Sequence, residues 1–259
     1  MSQNIYLNEM ADYRKPGSVL IQGLPGLGFV GKIAIDFLID QLKPTKLAEL
    51  YSTYISLPDG DLGVKVELDG TFELPKYEFY AYEQEGQSLI LLTGEIQPAA
   101  WGQYQVATKI LEYADKLGCT NVVALGGHIM QGRKSDTVYA IGSSKDVVEE
   151  LKKQKIQLAQ AGAVKGAFGI LLGLAKKRNI PCLGLLGATP GTHPDLGAAR
   201  NILRVLAPIY KIPVSLEDID KKIVDMETRV KRFQEFQAGV SSPDQQQPNA
   251  PPVPRGYIS

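Results

Sequence analysis

The chain has 259 residues, 44% of them hydrophobic, with 28 basic against 28 acidic side chains, enough for one large core. A net charge near zero offers no global attraction to nucleic acid or anionic lipid, both of which need clustered Lys and Arg. The two cysteines, Cys119 and Cys182, lack CxxC spacing, and neither a signal-like N-terminus nor a run of about 18 apolar residues occurs, so the sequence predicts a cytoplasmic protein with no disulfide framework, no metal, no nucleic acid and no membrane partner.

Residues 18–22 read as a short buried strand, followed by the turn GLPGLG and, from Phe29, apolar positions Val30, Ile33, Ala34, Phe37 and Leu38 at helical spacing. Residues 47–52 form a second predicted strand. Segments 63–68 and 71–74 flank Asp69-Gly70, a turn pair suited to positive φ, so an antiparallel hairpin insertion is expected. Strands at 77–82 and 88–93 precede a helix over 99–117, with Tyr104, Ala107, Leu111 and Ala114 on one face. Strands at 121–125 and 137–141, a charged helix at 145–153, a glycine-rich helix at 166–178, a strand at 182–186 and a helix at 195–206 complete the body. This alternation predicts an α/β fold with a mostly parallel central sheet covered by helices on both faces.

Beyond the body, Leu216, Ile219, Ile223, Met226, Val230 and Phe233 recur at alternating spacings of three and four, the narrow seam of a helix that packs on a neighbour. Ser215 with Asp218 resembles a capping box, the first turns are acidic and the last basic (Arg229, Lys231, Arg232), which complements the helix dipole. The seam is therefore an expected oligomer interface. From Ala238 the composition turns to Ser, Gln and Pro, with Tyr257 and Ile258 as apolar anchors before Ser259; a disordered tail is expected. The predicted organisation is one domain over 1–237, including the 216–237 helix, and a tail over 238–259.

The segment GLPGLGFVGK (23–32) matches two nucleotide signatures: Gly26, Gly28 and Gly31 make GxGxxG, and Gly26 through Lys32 make GxxxxGK. Ile33 occupies the place where a P-loop needs Ser or Thr to ligate magnesium, and Glu49 lies inside the second strand rather than at its tip. The competing reading is structural, with glycines permitting a tight turn and a close approach of helix to sheet. His128 follows Gly126-Gly127 near a strand's C-terminal end, where open α/β sheets bind ligands. His193, in THPD, is explained by helix-start chemistry. Glu95, at the end of a strand, could pair with Lys32 or His128 but reads as a solvated carboxylate, and Trp101 with Tyr104 reads as a core or interface cluster. No GxSxG, HExxH or metal-ligand spacing appears.

The segments GLPGLGFVGKIA (23–34), TGEIQP (93–98), LGG (125–127), VYAIGS (138–143), GAFGILLGLAK (166–176) and PGTHPDLGAAR (190–200) together resemble the archaeal proteasome assembly chaperone family. The resemblance spans about residues 15 to 235 and its specificity lies in the combination. It implies an α/β fold related to nucleoside phosphorylases and hydrolases, a homo-oligomer, and binding to proteasome α-subunits or the α-ring, without turnover and without a cofactor. Members that dock on the proteasome often end in a hydrophobic residue, Tyr and any residue. This chain departs from that, ending Arg255-Gly256-Tyr257-Ile258-Ser259. Two rival readings remain: an enzyme or sensor for a phosphorylated or nucleoside ligand at Gly23 to Lys32 with His128, and a structural oligomer recruiting another ATPase or chaperone.

Overall fold

A computed structural model describes residues 4–57, 60–66, 68–84, 86–130, 136–154 and 156–224. The elements run β1 (Ile5–Glu9), β2 (Ser18–Gly23), α1 (Val30–Leu42), β3 (Thr45–Ser52), β4 (Lys65–Val66), β5 (Phe72–Glu73), β6 (Tyr77–Gln84), β7 (Gln87–Gly94), α2 (Gln103–Lys116), β8 (Cys119–Ile129), β9 (Val138–Gly142), α3 (Lys145–Lys153), β10 (Gln157–Leu158), α4 (Gly166–Lys177), β11 (Cys182–Thr189) and α5 (Leu196–Ile209). Short 3-10 turns at Leu27–Phe29 and Ala100–Gly102 lead into α1 and α2.

One sheet holds nine of the strands in the order β1-β3-β6-β7-β2-β8-β11-β9-β10. Its centre, β7-β2-β8-β11, is parallel throughout. These strands are short apolar runs because both of their faces are buried. Leu20, Ile90, Leu92, Val122 and Ala124 join Val106, Ile110 and Leu111 of α2 and Leu171 and Ala175 of α4 in one core cluster. The alternate residues Val19, Ile21, Leu91 and Val123 are buried on the opposite face, along with Val30, Ala34 and Leu38 of α1 and Ile202 and Leu203 of α5. The expected architecture therefore stands. The flanking strands β1, β3 and β6 add on antiparallel, as does β9 on β11.

The hairpin forms where Asp69-Gly70 predicts it. Gly70 has φ 84°, Asp69 accepts from the Thr71 amide at 2.9 Å, and β4 and β5 make a separate two-stranded ladder. Two differences from expectation have simple causes. Strand β1 is an edge strand with much of its surface in water, so only Ile5 and Leu7 face the core and the apolar signal is weak. Tyr104, one turn upstream of Ala107 on the same stripe, is 60% exposed because it lies in the first turn of α2, at the sheet edge; the buried stripe begins at Val106.

The described residues up to Asp220 belong to one compact unit, and Lys221 begins a second. A helical stretch covers 217–224, with Ser215 Oγ accepting from the Glu217 amide. Of the seam residues, Ile219 is 1% exposed and buried within the first unit, while Leu216 and Ile223 are half-buried. Met226, Val230, Phe233, the 237/238 boundary and the tail anchors Tyr257, Ile258 and Ser259 lie outside the described residues. Among the described residues no helix is long and apolar enough to cross a membrane.

Candidate docking edge

Because β7, β2, β8 and β11 run parallel, their C-terminal ends share one edge, and the loops that leave it carry the glycine segments. The helix α1 sits hard against the sheet there. A Cβ on Gly23 would fall 2.2 Å from the Gly31 carbonyl oxygen, and one on Gly31 would fall 2.1 Å from that of Leu125, both far inside contact distance. Gly28 has φ 59°, and a Cβ on it would meet Thr189 Oγ1 at 2.6 Å. Gly26 differs: its backbone is extended and the nearest atom to a Cβ would be Gln97 Nε2 at 3.5 Å. The glycines at 23, 28 and 31 thus serve close packing of the loop and α1 against Thr189 and the backbone of β8.

Two side chains tie the loops together. Gln97 Nε2 donates to the Pro25 carbonyl at 2.7 Å, while its Oε1 accepts from the Ala167 amide at the start of α4 at 3.0 Å. Asp195 caps α5 by accepting from the Ala198 amide at 2.9 Å, accepts from the Thr189 hydroxyl at 2.8 Å, and donates its own amide to the Gly28 carbonyl at 2.8 Å. Segments TGEIQP, GAFG and PGTHPD therefore all converge on GLPGLG.

The residues singled out for chemistry are engaged with other partners, although Lys32 and Glu95 line one recess with Lys65, Lys76 and Thr93. Lys32 Nζ donates to Asp36 at 2.7 Å and to Thr93 Oγ1 at 3.1 Å, and the Thr93 hydroxyl donates to the same Asp36 oxygen at 2.7 Å. His128, near the end of β8, is exposed and stacks at a tilt on Tyr139, with ring centroids 4.9 Å apart. His193 is exposed in the turn before α5. Glu95, read as a solvated strand-end carboxylate, accepts from Lys65 at 2.7 Å, because the hairpin reaches over it. Among the described residues no group of three or more His, Cys, Asp or Glu is placed to hold a metal ion. Cys119 and Cys182 are free and buried, and burial pushes the Cys119 thiol up to about 12.

What the edge presents instead is apolar. Leu27, Phe29, Trp101, Tyr104 and Ile129 are 44%, 46%, 77%, 60% and 60% exposed. Phe29 holds a left-handed φ of 52° as the residue before α1, a conformation that costs a non-glycine residue about 1–2 kcal/mol and that collects at functional positions.

Sequence reasoning missed Gln97 and Asp195 as loop tethers, and it missed a charged network on β3 and β6. Glu49, considered for a ribose contact, accepts from Lys46 at 2.5 Å, Lys76 at 2.9 Å and the Tyr51 hydroxyl at 2.6 Å. Lys46 also pairs with Glu78 at 2.5 Å, and Lys76 with Glu73 at 2.7 Å. Burial alone would raise the Glu49 carboxyl, but these hydrogen bonds outweigh it and hold the group down at about 2. Burial and the bond to Glu49 push the Tyr51 phenol up to about 12. Glu49 is a structural anion, and the only signal available in sequence was the run of Lys and Glu at 46, 49, 73, 76 and 78.

Comparison with known proteins fits this geometry. The structure superposes on PbaB of Pyrococcus furiosus, described as an archaeal proteasome activator, with TM-score 0.78 and 28% identity, covering 89% of this chain and 98% of that one. PbaA of the same organism, an archaeal homolog of proteasome-assembly chaperone, gives TM-score 0.77 and 25% identity over 92% and 94% of the two chains. An uncharacterised protein of Methanocaldococcus jannaschii, MJ1210, is 31% identical over 222 residues, 85% of this chain and 84% of its own. The PAC2 family pattern matches residues 20–234, a span that takes in every one of the segments meeting at the edge, and this chain belongs to the PAC2 family.

Proposed function

We propose that the protein is a non-catalytic proteasome assembly chaperone or adaptor that binds proteasome α-subunits or the α-ring as a homo-oligomer. One observation carries the reading. The glycine loop that could have cradled a phosphate is packed against Thr189 and Leu125, its lysine is engaged by Asp36, and the same loop instead turns Leu27 and Phe29 outward. An edge of this kind suits a protein partner, where aromatic anchors supply most of the affinity. The likeness to PbaA and PbaB supports the proteasome as that partner.

The tail is a second docking element. It spans 22 residues from Ala238 with five prolines, which bias it toward extended conformations. Tyr257, Ile258 and Ser259 act in it as a short linear motif. Of the seam residues, Leu216, Ile223, Met226, Val230 and Phe233 are the proposed contact between copies, Ile219 being buried within the first unit. Several tails on one oligomer would then engage one ring with effective concentrations near millimolar.

The test is the affinity of isolated α-subunits for full-length protein, a version ending at Gln237, and the Tyr257→Ala and Trp101→Ala variants. Loss of binding on truncation or on Trp101→Ala supports the reading. Equal binding by all four removes both elements as docking sites.

The rival ligand reading at Gly23 to Lys32 with His128 is tested by thermal shift with nucleotides and phosphate. A ligand at about 100 times its Kd adds about 2.7 kcal/mol. A stabilisation abolished by Lys32→Ala in a folded protein would replace the chaperone reading.

A further inference from the structure

The nine-stranded sheet has two edges, and they differ in what they offer. At one end β10 is only two residues long, too short to template much pairing. At the other end β1 runs five residues in unbroken register with β3. The Thr53 amide donates to the Asn4 carbonyl and the Met10 amide to that of Leu47, so the even residues of β1 bond to β3 and the N–H and C=O groups of Ile5, Leu7 and Glu9 point outward. Among the described residues none of these groups has a hydrogen-bond partner. Exposed edges are ordinarily blunted by Pro, Lys, a bulge or a short length; residues 4–10, NIYLNEM, carry none of these.

We infer that β1 pairs antiparallel with β1 of a second copy of the chain, about a two-fold axis at Leu7, and so joins two sheets into one. The register selects that occupant. An edge that offers Ile5, Leu7 and Glu9 is its own complement when reversed: Leu7 meets Leu7 and Ile5 meets Glu9 in both directions, so every outward N–H and C=O is used. The side chains agree with it. Ile5, Leu7 and Ala11 lean on the core, and setting Leu7 beside Leu7 carries that apolar layer across the axis. Glu9, the one charge in the strand, is already paired with Lys116 at 2.5 Å and lies opposite Ile5 rather than its own copy, so no like charges face each other. The alternation turns Tyr6, Asn8 and Met10 to the other face. There the register brings Met10 of the second copy, 55% exposed in the single chain, across from Asn4. Asn4 and Tyr6 border a recess of about 320 Å³ lined also by Tyr51, Ile55, Leu62 and Leu74, and methionine is the flexible apolar side chain that fills such a gap. One strand thereby supplies both the projecting side chain and the hole beside it, as a two-fold contact requires.

This pairing rests on the reading that copies of the chain associate, and it adds a contact separate from the proposed seam. Tyr6 and Asn8 of facing strands form a non-hydrogen-bonded pair in this register, with Cα atoms about 4.5 Å apart, within the span of a disulfide. Like residues lie diagonally, at about 7–8 Å. The experiment is mild oxidation of full-length protein carrying Tyr6→Cys and Asn8→Cys together or singly, read on non-reducing gels, beside light scattering of wild type and Leu7→Pro across a concentration series. Both native cysteines are buried. The expected result is a covalent dimer from the double variant and none from either single variant. Leu7→Pro removes an outward amide and no bond to β3, so its expected mass is at most half that of wild type, with an unchanged circular dichroism spectrum. Absence of the covalent dimer at concentrations where wild type is associated overturns the strand pairing and leaves the seam as the contact between copies. That measurement decides the matter even where Leu7→Pro fails to fold. A covalent dimer formed equally well by a single variant overturns the register. A wild type monomeric at every concentration overturns both the pairing and the oligomer reading.

Discussion

Gln97 and Pro25, 72 residues apart in sequence, are joined by a 2.7 Å hydrogen bond from the glutamine amide to the proline carbonyl. The same side chain accepts from the Ala167 amide at 3.0 Å, so one residue fixes the glycine loop to the start of α4. Removing it as Gln97→Ala leaves a carbonyl and an amide to find water and costs about 1–3 kcal/mol of stability. Gln97→Glu keeps the acceptor but sets a carboxylate against the Pro25 oxygen, so it should cost at least as much at neutral pH. Urea unfolding with unchanged slope and a lowered midpoint is the expected readout.

Gly26 and Gly31 belong to the same fingerprint and should respond in opposite ways. Gly31→Ala places a methyl 2.1 Å from the Leu125 carbonyl, which requires α1 to lift from the sheet and should cost more than about 2 kcal/mol. Gly26→Ala meets nothing closer than 3.5 Å in an extended backbone and should be neutral or stabilising by about 0.4–1 kcal/mol. Thermal melts of the two variants separate the packing role of this loop from an anion-binding role, which would make both positions sensitive to added phosphate.

Glu49 links stability to pH. Its carboxyl falls from an ordinary 4.5 to about 2 in the folded chain, so the unfolded chain binds the proton more tightly. The contribution is complete above about pH 4.5 and is lost as pH falls toward 2. Tyr51, raised to about 12, works at the other end: its stabilisation is complete below about 10 and lost as pH rises through 12. Glu49→Gln should cost about 2–3 kcal/mol at pH 7 and flatten the acid side of the stability profile. A variant whose acid slope matches wild type between pH 4.5 and 2 would show that the network contributes nothing to it.

Phe29 tests the balance between strain and recognition. Replacing it with glycine relieves the left-handed φ of 52° and removes a half-exposed ring, so stability should change by less than about 1 kcal/mol. Binding to α-subunits should fall by tenfold or more, about 1.4 kcal/mol. Unaltered affinity would place the docking contact elsewhere on the molecule.

The parallel centre was legible because SVLIQ, SLILLT, NVVAL and CLGLL are compact apolar runs between turns, and the hairpin because Asp69-Gly70 admits one turn geometry. Strand β8 continues to Ile129 through GGHI, past the point where its apolar signal ends, because β11 pairs with it residue by residue. The glycine fingerprint was equally visible, but its meaning was not. Whether Gly28 opens a cradle or admits Thr189 depends on an atom more than 150 residues away, and no local pattern encodes that. Glu49 shows the same limit, since Lys46 and Tyr51 come from its own strand but Lys76 reaches it only once β3 and β6 are paired.

The central position of β2 bears on how the chain is made. Its partners β7 and β8 begin at Gln87 and Cys119, so the first apolar strand to leave the ribosome has neither neighbour available. At about 5–20 residues per second, β8 follows β2 by roughly 5–20 s. For that interval an unpaired run, Val19-Leu20-Ile21, is open to the wrong edge. A circular permutant that begins at Gln87 and places the 1–86 segment last would deliver β7 and β8 before β2, and its nascent chain would offer β2 a finished slot on arrival.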